Sequence, residues 1–281
     1  MRKLVCLLLG MALLWGGTAQ AILVDPYDNA LAPDGVYGLL YGNYYHADEF
    51  TGPDGDKAVS ADLSAYVSLV RVIGYKKIGK LPAAFQIILP FGKIEEKKFF
   101  KESSEGIGDL TFGPGVFLYN NDDTRTYVSY WFYAFAPTGD FDKDRVINLG
   151  RNHWSFEHQI AINKQYKGLV YDMNLNYYHH TEESKTKLER SDRFELETSI
   201  AYQLNDKLVL GINGGGYADF GKAKIDGVSA ADTRAERWQV GPSIGYTINE
   251  RMGVNFRWSN DVSATNDSKG NDIWLRVNYA F

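Results

Sequence analysis

The chain has 281 residues, 44 % of them apolar and 14 % aromatic, with 19 Tyr and a formal net charge of −5. That apolar fraction with so small a charge excludes disorder, and an acidic balance argues against a nucleic-acid partner. The mean hydropathy of −0.31 excludes a bundle of membrane helices, but not a membrane barrel, whose apolar face alternates out of sight of any average.

Residues 1–21 open with Arg2 and Lys3, continue through an apolar run from Leu4 to Trp15, and end on Ala19-Gln20-Ala21. This is the pattern of a cleaved export signal. A twelve-residue helix reaches only about 18 Å, too short for a hydrocarbon core of about 30 Å. Its removal takes away the only Cys, Cys6, and leaves a chain of 260 residues with a formal charge of −7. Disulfides and thiolate chemistry go with it. Residues 22–34 form a short apolar, Pro-containing lead, expected on the periplasmic side. Its residues leave open whether it enters the domain that follows.

From residue 35 onward the dominant period is two. Leu169, Tyr171, Met173, Leu175 and Tyr177 share one face, and Val170, Asp172, Asn174, Asn176 and Tyr178 the other. Residues 152–163 and 192–203 repeat the pattern. Twelve strands are predicted, at 36–46, 59–73, 82–92, 107–119, 125–137, 152–165, 169–180, 192–204, 207–218, 233–247, 251–259 and 272–281. Short connections with turn residues such as Asn121-Asp122-Asp123 and Asn205-Asp206 alternate with long polar ones at 47–58, 93–106, 138–151, 181–191, 219–232 and 260–271. An even number of strands with alternating tight turns and long loops predicts an all-β fold, an antiparallel transmembrane β-barrel over residues 35–281. A β-sandwich also alternates, but its strands run about five or six residues. Tyr41, Trp154, Tyr177, Tyr202, Trp238, Tyr246 and Trp258 near strand ends suit an aromatic girdle.

The last strand carries Ile273, Leu275, Val277, Tyr279 and the terminal Phe281 on one face. It resembles the terminal strand by which Gram-negative outer-membrane barrels are recognised, which makes Tyr279 and Phe281 the expected signal to the barrel-assembly machinery.

Four phrases extend the resemblance. Ala32-Pro-Asp-Gly35 precedes an aromatic first strand, Tyr37 to Tyr45. Gly106-Ile-Gly-Asp-Leu-Thr-Phe-Gly-Pro114 opens the fourth, Pro137-Thr-Gly-Asp140 ends the fifth, and Asn148-Leu-Gly-Arg-Asn152 with Trp154-Ser-Phe156 opens the sixth. In order and spacing the set is similar to the MetA-pathway of phenol degradation family of outer-membrane transporters. The resemblance implies a barrel passing small aromatic or otherwise apolar solutes and lends no catalytic residues. On their own residues, these Gly-rich phrases read as strand bends and strand ends.

Turning the more apolar face to lipid, where an Arg at midplane costs about 2–4 kcal/mol, places Asp62, Asp109, Glu157, Asp172, Arg193, Glu195, Glu197, Arg237, Arg257 and Arg276 in the lumen. The acids come mainly from strands two to eight and the arginines from strands eight and ten to twelve, so the two signs occupy different arcs. They either pair and fill a narrow lumen or set a field across a water-filled one. Strand five carries Tyr127, Tyr130, Trp131, Phe132, Tyr133 and Phe135 on both faces, so some must point inward, for stacking a solute or for packing.

Catalytic and metal chemistry finds little support. His153 and Ser155 share a strand face, as in an outer-membrane phospholipase, but no orienting Asn or oxyanion donor accompanies them. Asp140-x-Asp142-x-Asp144 begins like a Ca²⁺ loop, yet Arg145 and Arg151 stand where Gly and Glu are needed. Gly214-Gly215-Gly216 precedes no helix and is no phosphate loop. No cofactor and no metal is expected. The sequence therefore points to an outer-membrane channel for small apolar or aromatic compounds, in contact with outer-membrane lipid and lipopolysaccharide. A closed structural or adhesive barrel with ligand-binding outer loops is the alternative, and a lipid hydrolase is a distant third.

Overall fold

The computed structural model describes residues 24–281; the expected export signal, residues 1–21, lies outside them. Twelve strands form one closed antiparallel barrel: β1 (Gly35–Thr51), β2 (Lys57–Ile78), β3 (Leu81–Glu96), β4 in two pieces (Glu102–Ile107 and Leu110–Asn121), β5 (Thr126–Ala136), β6 (Ser155–Tyr166), β7 (Leu169–His180), β8 (Arg193–Gln203), β9 (Leu208–Asp219), β10 (Glu236–Asn249), β11 (Met252–Thr265) and β12 (Ser268–Ala280). Each strand pairs with the next, and β12 closes the ring on β1, from Tyr37 opposite Ala280 to Phe50 opposite Ser268. Closure satisfies every ladder without leaving an edge, as a lipid-embedded backbone requires. Three two-residue pieces, Leu188–Glu189, Lys224–Ile225 and Val228–Ser229, make a small separate sheet in the loops.

Alternation along each strand sorts lipid from lumen. On β7, Val170, Asp172, Asn174, Asn176, Tyr178 and His180 are buried while Leu169 and Tyr177 are exposed. The exposed face around the ring is aliphatic (Leu40, Val72, Ile87, Ile160, Ile200, Ile212), with Trp154, Tyr177, Tyr202, Tyr246 and Trp258 among its aromatics. Tyr41 departs from the expected girdle: it is 1 % exposed and points inward.

Five tight turns, at 79–80, 122–125, 167–168, 204–207 and 250–251, lie at one end with Gly35 and Phe281. Gly79 and Gly168 adopt φ of 62° and 85° there, a region that glycine enters without strain. Phe281 donates its backbone N–H to Val36 O at 3.0 Å, and its ring lies over the bare Cα of Gly38, where an added Cβ would come within 3.1 Å.

The opposite end differs from expectation. Three connections are long, 137–154, 181–192 and 220–235, but those at 52–56, 97–101 and 266–267 are short, because β1, β3, β4, β11 and β12 continue well past the predicted ends. Strands beyond the lipid need no apolar face, so the alternation that marks them in the sequence stops while the ladder goes on.

Loop 137–154 folds inward. It meets β4 where that strand breaks at Gly108–Asp109. Asp109 accepts the backbone N–H groups of Gly139 and Arg151, both at 2.9 Å, and Asp140 accepts that of Ile107 at 2.7 Å. Gly150 donates to Asp140 O and Gly108 to Pro90 O, each at 2.9 Å. A Cβ on Gly150 would stand 2.5 Å from Gly139 C. Three of the family phrases thus converge on one junction of bare backbones. From it the loop inserts Ile147, 0 % exposed, among Tyr41, Tyr45, Leu63, Val67, Ile94 and Trp274, filling the long-loop half of the barrel with an apolar core.

Candidate functional site: a plugged lumen

At the other half, the lead from Val24 to Asp34 enters the lumen and is gripped from two sides. On one side β11 and β12 present arginines: Arg257 Nη1 lies 3.0 Å from Asp25 Oδ1, and Arg276 Nη1 lies 3.3 Å from Asp25 Oδ2 and also pairs with Asp28. On the other side Asp172 of β7 accepts the backbone N–H groups of Tyr27 at 2.8 Å and Asn29 at 3.0 Å. Asn29 donates onward to Asn174 Oδ1 at 2.8 Å. Tyr27 bonds Gln203, and Asn213 donates to Val24 O. The two charged arcs therefore meet the lead between them. An extended segment with free polar backbone could not sit in a barrel without such partners.

The lead borders two cavities. The lower one, about 330 Å³, lies at the tight-turn end, between Tyr27, Ala30, Tyr37, Tyr75, Lys207 and Asn255. The upper one, about 100 Å³, lies between the lead and the aromatic wall of β5, where Trp131, Tyr133 and Phe135 stand opposite Asn29 and beside Glu157 and Glu197. Asp28 and Arg71 line both.

The structure distributes the remaining predicted lumen residues by role. Arg193 pairs with Asp219 at 2.7 Å and lies over the Tyr217 ring at 3.6 Å. Arg237 faces Asp261 at 3.8 Å. Glu157, Glu195 and Glu197 are buried around Tyr178 and Asn174 of the intervening β7. Asp109 is buried but serves the loop junction rather than the lumen wall. Asp62 does not join them: it shares parity with the exposed Tyr66, Val70 and Val72, and Arg71 is the charged residue that β2 turns inward. The inward face of β2, Ala61 to Leu69, is itself apolar because loop 137–154 covers it, so the rule that the apolar face meets lipid has nothing to discriminate there. On β5, Tyr127, Trp131, Tyr133 and Phe135 point inward. Tyr130 and Phe132 are on the lipid face against His158, with Tyr130 Oη 2.7 Å from His158 Nδ1. The lead's Asp25, Tyr27, Asp28 and Asn29 and the inward Arg71 are the residues that sequence reasoning missed. The acid-rich stretch Asp25-Pro-Tyr-Asp-Asn29 was the signal, being complementary to the arginine arc.

Above the upper cavity, loop residues crowd positive charge. Burial, reinforced by Arg190 and Arg151, pulls His153 down to about 3, and burial followed by Arg151 and Arg193 pulls Arg190 down to about 9. His153 does not pair with Ser155; its Nδ1 lies 2.9 Å from Arg151 O. Ser155 Oγ instead lies 2.8 Å from His180 Nδ1, and neither Ser155 nor His180 lines either cavity. The Asp142 loop closes on itself through Asn148 and Arg145. Among the described residues no three His, Cys, Asp or Glu converge as metal ligands.

An even, closed antiparallel ring with an aliphatic exterior and a polar interior is a transmembrane β-barrel of the outer-membrane type. The chain belongs to the family described as "Putative MetA-pathway of phenol degradation", which matches residues 47–277. Among solved structures it is similar to the COG4313 outer membrane channel from Pseudomonas putida F1, with a TM-score of 0.86 and 23 % identity over 92 % of this chain and 100 % of that one. The translocator domain of the autotransporter NalP from Neisseria meningitidis is a more distant likeness, with a TM-score of 0.50 and 12 % identity over 89 % and 90 % of the two chains. No curated protein matches the sequence.

Proposed function

We propose that the protein is an outer-membrane channel for small aromatic or apolar solutes, closed at rest by its own N-terminal lead. The observation that carries this reading is the lead itself, a separate segment held in the lumen by ion pairs and hydrogen bonds and bordered on both sides by cavities. A solid barrel whose walls met each other would need no such segment. The aromatic wall of β5 supports an aromatic cargo, since ring faces bind apolar solutes that a polar pore rejects. Family membership supports the same class.

The tight turns, the lead and Phe281 then face the periplasm, and the long loops face lipopolysaccharide. Tyr279 and Phe281, on the lipid face of the closing strand, are placed for capture by the assembly machinery. The reading contains no catalytic step.

Uptake into proteoliposomes tests it. Benzyl alcohol is expected to enter vesicles holding folded Asp25→Ala/Asp28→Ala, which lacks the lead's ion pairs to Arg257 and Arg276, faster than protein-free ones, and a disaccharide is not. Equal rates for benzyl alcohol with and without the folded variant would overturn the proposal in favour of a closed barrel whose inserted loop 137–154 is structural.

A further inference from the structure

Three carboxylates stand at the upper cavity without a close ion pair. Glu157 of β6 and Glu197 of β8 line it, and Glu195 lies two residues along on the same inward face. Among the described residues no basic side-chain nitrogen comes within the 4.0 Å of an ion pair with any of the three. Glu197 Oε2 accepts from Asn174 Nδ2 at 2.8 Å. Its other oxygen, Oε1, is buried with no hydrogen-bond partner, as are Asn176 Oδ1 and Gln86 Oε1 on the same cavity wall. Glu197 is 3 % and Asn176 2 % exposed. Water can satisfy a lone pair, but it supplies no charge, and an unpaired buried carboxylate is costly.

The unmet demand is for donors that carry positive charge. Among the described residues, Arg71 Nε is the buried donor on this lining without a hydrogen-bond partner, and Asp28 lines the cavity with it. Arg151 lies outside this lining, over the Phe135 ring at 5.4 Å from the centroid, with its Nη1 buried and without a hydrogen-bond partner. A metal ion is a poor match, because no three ligating groups converge among the described residues. The wall beside the carboxylates is aromatic: Trp131 and Tyr133 stack with planes 4° apart and centroids 6.0 Å apart, and Phe135 continues the row. Carboxylates on one side and ring faces on the other suit an organic ammonium, which takes charge-assisted hydrogen bonds from the first and cation–π attraction from the second.

We infer that the upper cavity is a binding site for a small ammonium ion bearing an aromatic ring, with the ammonium between Glu157 and Glu197 and the ring against Trp131, Tyr133 and Phe135. This narrows the cargo of the proposed channel to aromatic amines, and it rests on that reading only for how the ligand travels.

Calorimetric titration of the whole folded protein in detergent, with 2-phenylethylammonium and its uncharged isostere 2-phenylethanol, tests the site. The cation is expected to bind at least about tenfold more tightly, as a charge-assisted contact demands. In Glu197→Gln the ratio is expected to fall to about threefold or less with the alcohol unaffected. Equal binding of the two compounds by wild type overturns the inference, and so does a ratio unmoved in folded Glu197→Gln. If that variant fails to fold, Glu157→Gln replaces it, and the wild-type ratio stands as a test by itself. Binding is read without a membrane, so a non-conducting protein can still show the ratio and a conducting one can lack it. The two readings fail separately.

Discussion

His153 shows how far burial governs this barrel's charged groups. It is 3 % exposed, and burial holds it neutral, with its pKa near 3. An unfolded His titrates near 6.5. Between those values the unfolded chain binds the extra proton, so the stability contribution is complete above about pH 6.5 and declines as pH falls toward about 3. Urea unfolding in detergent at pH 7.5 and pH 4.5 reads this directly. Wild type is expected to lose more stability on acidification than His153→Gln, by an amount on the order of 1–3 kcal/mol; identical losses would contradict it. Burial also explains what the sequence could not say about Asp62 and Tyr41. Both lie on β1 and β2, where the inward face is as apolar as the outward one because Ile147 and its neighbours cover it. Parity becomes legible only where one face is polar, as on β7 and β8, where Asp172, Glu195 and Glu197 identify the lumen at once.

Among the elements, the twelve strands and their order are legible, and the tight-turn ends lie close to their predicted places, because Gly, Asn and Asp punctuate them; β2 is the exception, running on to Ile78. The long-loop ends are not legible, because a strand that leaves the lipid keeps its ladder and loses its apolar face. The sequence predicts a polar outer loop at 138–151 and strand bends in its Gly-rich neighbours. Their purpose appears only when three distant backbones meet: Gly108, Gly139 and Gly150 are bare so that the loop can enter the broken β4. Gly150→Ala would drive a Cβ to 2.5 Å from Gly139 C and is expected to cost about 1–3 kcal/mol, as overpacking does. Gly42→Ala, whose Cβ meets nothing within 4 Å, is expected to stay within about 0.5 kcal/mol. Urea midpoints of the two variants check the contrast, and equal midpoints would remove the junction's claim to tight packing.

For the molecule as a whole, strand parity and turn lengths specify a closed ring and do not say what fills it. Two oppositely charged arcs were visible in the sequence, and their alternatives were mutual pairing or a transverse field. The lead resolves the arrangement differently, with Asp25 and Asp28 on the arginine arc and the Tyr27 and Asn29 amides on Asp172. A short acid-rich stretch beside a barrel carries no periodicity, so its charge, complementary to the arginine arc, is the sign in the sequence that it turns back into the lumen. Removing both carboxylates leaves Arg257 and Arg276 buried without these two partners, and breaking a buried pair in this way costs about 3–5 kcal/mol. That energy bears on the lead's docking and leaves the β-ladders untouched. Planar-bilayer conductance of folded wild type against Asp25→Ala/Asp28→Ala measures the consequence. Wild type is expected to be nearly closed and the double variant to conduct several-fold more; equal conductance in the two, with the variant's barrel intact, would overturn gating of the lumen by the lead.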